Sequence, residues 1–233
     1  MDIKTQIIFL PGLGAPSSLY KNLLYLLASK FEVKYFDWWK LGDNIDLVIK
    51  KINNAAKKVN SKQGKTLLVA HSGGASICLR AATIDPMIFS KIVLLDSHPG
   101  GIQFTVCPTL KSLLNELLKQ PMDINSKYGK IVADAYSKSD EKAICSSLRN
   151  VIKWYQTTDI KSVITNLKNN NISIINVIST EKSTYEMIKK PEESESVKIW
   201  KNSGAEIIFL PNSAHFFPIT PEGAIFAYQI IAS

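Results

Sequence analysis

Short apolar runs rich in Ile, Leu, Val and Phe recur along the chain, separated by stretches with apolar residues at helical spacing. The short runs predict strands near 6–10, 33–37, 66–70, 91–95, 173–178 and 205–210. The longer stretches predict helices near 18–29, 43–59, 74–84, 185–201 and 221–231. The last of these has an explicit start signal: Thr220 as N-cap, Pro221 in the first turn and Glu222 as a first-turn carboxylate. Such alternation argues for an α/β protein with a mainly parallel sheet flanked by helices. One connection breaks the rhythm. Between the strands near 91–95 and 173–178 lies a long insertion with one helical pattern at Leu110–Leu118 and another from about Ile144 to Tyr155. Trp38 and Trp39, just past the second strand, read as packing residues.

The length of 233 residues suits one α/β domain spanning 1–233. No apolar run is long enough to cross a bilayer, and Met1–Gln6 leads into the first strand without a signal-like region. Cys78, Cys107 and Cys145 are few, odd in number and widely spaced, which fits reduced thiols in a cytoplasmic protein better than a disulfide framework. No Cys/His/Asp cluster has metal spacing and no glycine-rich loop has a phosphate-binding pattern, so neither a metal nor a cofactor is expected.

Candidate chemistry begins at Leu67-Leu68-Val69-Ala70-His71-Ser72-Gly73-Gly74-Ala75, where an apolar run stops at a serine fenced by small residues. A helical stretch follows at once. This layout suits a strand-turn-helix hinge that holds Ser72 on a strained turn as a nucleophile, with Ala70 and Gly74 at the two crowded small-residue positions of G-x-S-x-G. The bland counterpart is a strand-to-helix turn that happens to contain serine. Two further loops weigh on the choice. Pro11-Gly12-Leu13-Gly14-Ala15-Pro16 ends the first strand, and its glycines let backbone N–H groups face a ligand; the amides of Leu13 and Gly73 are the expected oxyanion donors. Pro211-Asn212-Ser213-Ala214-His215 follows the last strand, which places His215 where a general base meets Ser72 across the sheet edge. Of the other two histidines, His71 adjoins the serine and is expected to point away from it, and His98 is the weaker competitor.

Together, Pro11-Gly12-Leu13-Gly14, Ala70-His71-Ser72-Gly73-Gly74 and His215 resemble the α/β-hydrolase superfamily, over nearly the whole chain. Within it, Leu94-Leu95-Asp96-Ser97 is similar to a segment of the thioesterases of polyketide and nonribosomal peptide synthesis, which carry their triad acid here and not after the following strand. Their elbow also looks like His71-Ser72-Gly73-Gly74-Ala75, and their first loop like Leu10-Pro11-Gly12-Leu13-Gly14. The resemblance implies a triad of Ser72, His215 and Asp96; the alternative acid is Glu181, at the more usual place after the next strand. It also implies that the insertion, 100–165, is a helical lid over the acyl pocket, although its apolar faces suit plain packing equally well.

The function this implies is hydrolysis of carrier-bound or CoA-bound acyl thioesters through an acyl-enzyme. A carboxylesterase acting on small or carrier-bound esters is the alternative, and a hydrolase-fold binding protein without turnover is the alternative from another class. The net charge of +8, from 28 basic and 20 acidic residues, would suit an acidic acyl carrier protein as partner. The lysines are scattered and no nucleic-acid-reading motif is present, so nucleic acid is not expected.

Overall fold

The computed structural model describes residues 5–42, 44–61, 64–97, 127–180, 195–211, 213 and 215–233. Six strands form one sheet: β1 (Gln6–Leu10), β2 (Glu32–Tyr35), β3 (Thr66–His71), β4 (Lys91–Leu95), β5 (Ser173–Ser179) and β6 (Glu206–Leu210). Every pairing is parallel and the order is β2-β1-β3-β4-β5-β6. Parallel strands covered by helices on both faces have no solvent side, which is why β1 and β3 are apolar almost without interruption and buried throughout. The edge strands β2 and β6 are only half-buried and carry Glu32, Lys34 and Glu206.

The described α-helices are α1 (Lys21–Ala28), α2 (Ile45–Asn60), α3 (Gly74–Ile84), α4 (Lys127–Ser137), α5 (Glu141–Thr157), α6 (Ile160–Asn169), α7 (Glu195–Asn202) and α8 (Pro221–Ala232). Their starts are chemically marked. Asn44, Asp140, Asp159 and Thr220 each accept a backbone N–H of the first turn of α2, α5, α6 and α8. The Thr220-Pro221-Glu222 signal thus opens α8 as the sequence predicts. The helix expected over 18–29 is divided into a 3-10 turn, Ser17–Tyr20, and α1. The second strand lies at 32–35, not 33–37, because its pairing with β1 ends at Phe9 opposite Tyr35 and the Trp38 N–H then turns back onto the Phe36 carbonyl. Helix α7 occupies only the end of the expected 185–201 helix, and residues 185–194 lie outside the described residues, as does the pattern at 110–118.

The strand order reverses between β1 and β3, the point at which open α/β sheets leave a crevice beyond the strands' carboxyl ends. Register aligns the three ends that matter: Leu10 lies opposite Ala70, and His71 opposite Leu95. The backbone continues the ladder one step beyond, with Ser72 N–H donating to the Leu95 carbonyl (3.1 Å) and Asp96 N–H to the Val177 carbonyl (2.7 Å). Ser72, Asp96 and the loop after β1 therefore share one edge of the sheet.

Candidate active site

Ser72 follows the last residue of β3 with φ of 51°, a left-handed conformation costly for a residue bearing a Cβ. The turn is tight because α3 starts at Gly74, directly against the first loop: a Cβ on Gly74 would lie 2.5 Å from the Leu10 carbonyl oxygen and 2.6 Å from that of Pro11. Asp96 has the same kind of backbone, φ 48°, at the end of β4. Both residues are thus turned out of the sheet at its carboxyl edge.

There the structure brings three predicted residues together. His215 Nε2 is 2.9 Å from Ser72 Oγ, and His215 Nδ1 is 2.6 Å from Asp96 Oδ2. The carboxylate is itself held, its Oδ1 accepting the Ser179 N–H at 2.7 Å, and Asp96 is almost wholly buried. Since a carboxylate accepts, His215 Nδ1 carries the proton and Nε2 presents a lone pair to the Ser72 hydroxyl. Asn176 donates to the Ser97 carbonyl (2.8 Å) and Ser97 Oγ to the Ser72 carbonyl (3.3 Å), which ties the β4 turn to the β3 turn. Glu181 and His98 lie outside the described residues.

The first loop is fixed one carbonyl at a time. The Pro11 carbonyl accepts Trp38 Nε1–H (2.8 Å), and the Gly12 carbonyl accepts the Ala15 N–H (3.1 Å). The Leu13 carbonyl accepts the Tyr136 hydroxyl (2.7 Å), that of Gly14 the Ser139 hydroxyl (3.0 Å) and that of Ala15 the Tyr35 hydroxyl (2.7 Å). With every carbonyl from Pro11 to Ala15 engaged, the peptide planes cannot rotate freely. The Leu13 and Gly73 amides donate no backbone hydrogen bond among the described residues. They are neighbours, since a Cβ on Gly73 would stand 3.8 Å from Leu13 N. Trp38, expected as packing, is buried and also supplies one of these anchors. Tyr136 and Ser139, at the end of α4 and just after it, were not indicated by the sequence reading; the insertion therefore reaches the first loop directly.

His71 turns away from Ser72, as expected, but into a polar contact the sequence reading did not foresee. Its Nδ1 meets the Tyr20 hydroxyl at 2.7 Å and its Nε2 meets the His215 carbonyl at 2.8 Å. Burial, reinforced by the nearby His215, pushes His71 down to about 3. The unfolded chain binds that proton near pH 6.5, well above the folded protein. Stability is thus at its full value above about pH 6.5 and falls as the pH drops toward about 3, at about 1.4 kcal/mol per pH unit. The melting temperature is expected to decline already between about pH 6.5 and 5, before most carboxylates titrate. In His71→Gln that early decline should flatten; an unchanged slope would show that His71 is protonated when folded.

No family model matches the sequence, and no curated protein matches it. Solved structures do. The enol-lactonase from Burkholderia xenovorans LB400 is 14% identical, with 98% of this chain and 90% of that one covered and a TM-score of 0.73. MenH from S. aureus is also 14% identical, with 100% and 94% covered and a TM-score of 0.73. A structure from a study of carboxylesterases of the thaumarchaeon Nitrososphaera gargenis is 15% identical, with 98% and 90% covered and a TM-score of 0.68. The chain has the α/β-hydrolase fold. At such identities the likeness is one of fold alone. Among the described residues, no helix is long and apolar enough to cross a membrane.

Proposed function

We propose that this chain is a serine hydrolase that cleaves acyl thioesters carried on CoA or on an acyl carrier protein. The observation that carries the proposal is the line of contacts from Ser72 Oγ through His215 to Asp96, 2.9 Å and 2.6 Å long. In this reading His215 takes the Ser72 proton as Oγ attacks the thioester carbonyl carbon. Asp96 keeps the imidazole in its working tautomer and stabilises the imidazolium. The Leu13 and Gly73 amides receive the oxyanion, each worth about 3 kcal/mol in the transition state. Collapse of the tetrahedral intermediate expels the thiol, protonated by His215, and leaves an acyl group on Ser72. Water, deprotonated by the same histidine, then attacks the acyl carbonyl. Collapse of the second tetrahedral intermediate breaks the bond to Ser72 Oγ, His215 returns the proton to that oxygen, and the free acid leaves. The insertion, 100–165, acts as the roof of the acyl pocket and sets which chains enter.

The hydrogen bond between His215 and Asp96 supports the thioester over the ester reading, because the polyketide and nonribosomal peptide thioesterases that the chain resembles carry their acid in a segment like Leu94-Leu95-Asp96-Ser97. A carboxylesterase is the second reading, favoured by the carboxylesterases among the structural neighbours. Wild-type protein is expected to react with a fluorophosphonate probe, with the added mass on the peptide containing Ser72. No labelling, under conditions that label a known serine hydrolase, would favour a binding protein without turnover. On acyl-CoA thioesters and p-nitrophenyl esters of matched chain length, kcat/KM is expected to favour the thioester; the reverse order selects the carboxylesterase.

A further inference from the structure

We propose that His71 and Tyr20 are positioning residues that lock the oxyanion loop and the His215 loop into one unit, a role that rests on the serine-hydrolase reading above. Three hydrogen bonds in series make the connection. Gly12 N–H donates to the Tyr20 hydroxyl oxygen (3.0 Å), the Tyr20 hydroxyl donates to His71 Nδ1 (2.7 Å), and His71 Nε2–H donates to the His215 carbonyl (2.8 Å). The directions follow from the end groups. A carbonyl only accepts, so the His71 proton resides on Nε2, and Nδ1 of the neutral ring accepts. The Tyr20 oxygen already receives the Gly12 N–H, which leaves its own proton for Nδ1. A protonated His71 would donate from both nitrogens and leave the Tyr20 proton without this acceptor.

The bridge is sealed and tight. Tyr20 and His71 have no exposed surface. A Cβ on Gly12 would stand 3.1 Å from His71 Nδ1 and 3.3 Å from the Tyr20 oxygen, closer than ordinary van der Waals contact. The His71 ring also packs against the rings of His215 and Phe216, with centroids 4.9 and 5.8 Å away. Neither His71 nor Tyr20 contacts Ser72 Oγ. Their reach is indirect: Gly12 precedes the Leu13 amide, and the carbonyl held by His71 belongs to the residue whose ring faces Ser72. A ~1 Å error at either end would misplace a base or an oxyanion donor, which is enough to cost on the order of 100-fold in rate.

Tyr20→Phe removes one oxygen and keeps the packing. Its kcat on a p-nitrophenyl ester is expected to fall by about 10- to 100-fold with KM changed by less than about threefold, since the loss lies in transition-state alignment. His71→Gln, whose amide offers one donor and one acceptor, should recover most of the kcat lost in His71→Leu. Tyr20→Phe combined with His71→Leu should cost no more than the worse single variant, because both break one chain. In 15N NMR of histidine-labelled wild type at pH 7, His71 should be the neutral Nε2–H tautomer. A folded Tyr20→Phe protein with kcat within twofold of wild type, additive losses in the double variant, or an Nδ1–H tautomer would each overturn the proposal. Failure of the wild type to take the fluorophosphonate label overturns the hydrolase reading and the positioning role with it. A labelled wild type with an unaffected Tyr20→Phe overturns the positioning role alone.

Discussion

Ser72→Ala is expected to lower kcat by about 10⁴- to 10⁶-fold, the scale seen when the nucleophile of a serine triad is removed. The proposed oxyanion donors, the Leu13 and Gly73 amides, survive the change, so a small residual rate above background should persist, and KM should move little. Stability supplies a second reading of the same position. Ser72 sits at φ 51°, and alanine inherits that strain. Glycine does not, so Ser72→Gly should be equally inactive yet more stable than Ser72→Ala by about 1 kcal/mol, or roughly 2–4 °C in melting temperature for a chain of this size. The comparison of the two inactive variants measures how much stability the enzyme gives up to present its hydroxyl. Retention of wild-type turnover in Ser72→Ala would remove Ser72 from the chemistry.

Gly74→Ala is the substitution expected to cost most stability. The added methyl would meet the carbonyl oxygens of Leu10 and Pro11 at 2.5 and 2.6 Å, and both are backbone atoms, at the last residue of the interior strand β1 and the one after it. No side-chain rotation relieves that contact. Either α3 withdraws from the sheet or the first loop moves, at a cost of about 3 kcal/mol or more. A displaced first loop carries Leu13 with it, so activity should fall further than the unfolded fraction explains. Gly73→Ala is the control for stability. Its Cβ would have ordinary neighbours, Leu13 at 3.5 Å and Trp38 at 3.6 Å, and it should melt within about 1 kcal/mol of wild type. Thermal denaturation of the two variants side by side decides the matter. Equal melting temperatures would mean that strand and helix do not pass as closely as described.

What the sequence disclosed and what it hid divide along the range of the interactions involved. The strands were legible because a sheet covered on both faces demands unbroken apolar runs, and the turns beyond β3 and β4 because Ser72 and Asp96 interrupt such runs abruptly. His215 stood out by its place after the last strand. Tyr20 and His71 were not legible as a pair: Tyr20 reads as one apolar position in a helical stretch, and nothing local connects it to a residue 51 positions away. Tyr136 is harder still, with 123 positions between it and the carbonyl it holds. Helix α6 was missed despite a regular signal, since Ile160, Val163, Ile164 and Leu167 follow the i, i+3, i+4, i+7 spacing with three of the four buried. That signal lies across the end of a segment read as a single insertion, where no turn cluster separated it from its neighbour.

The clamp from Tyr136 and Ser139 onto the Leu13 and Gly14 carbonyls bears on how readily such a scaffold can be re-engineered. A roof that merely covered a pocket could be exchanged between enzymes as a module, changing substrate choice while leaving turnover intact. Here the segment between β4 and β5 supplies two hydroxyls that hold the first loop, whatever else it covers. A graft lacking them would free the peptide planes on either side of Gly14, and selectivity and rate would change together. Chimeras that keep 136–139 native and vary the rest are the ones in which the two properties should separate.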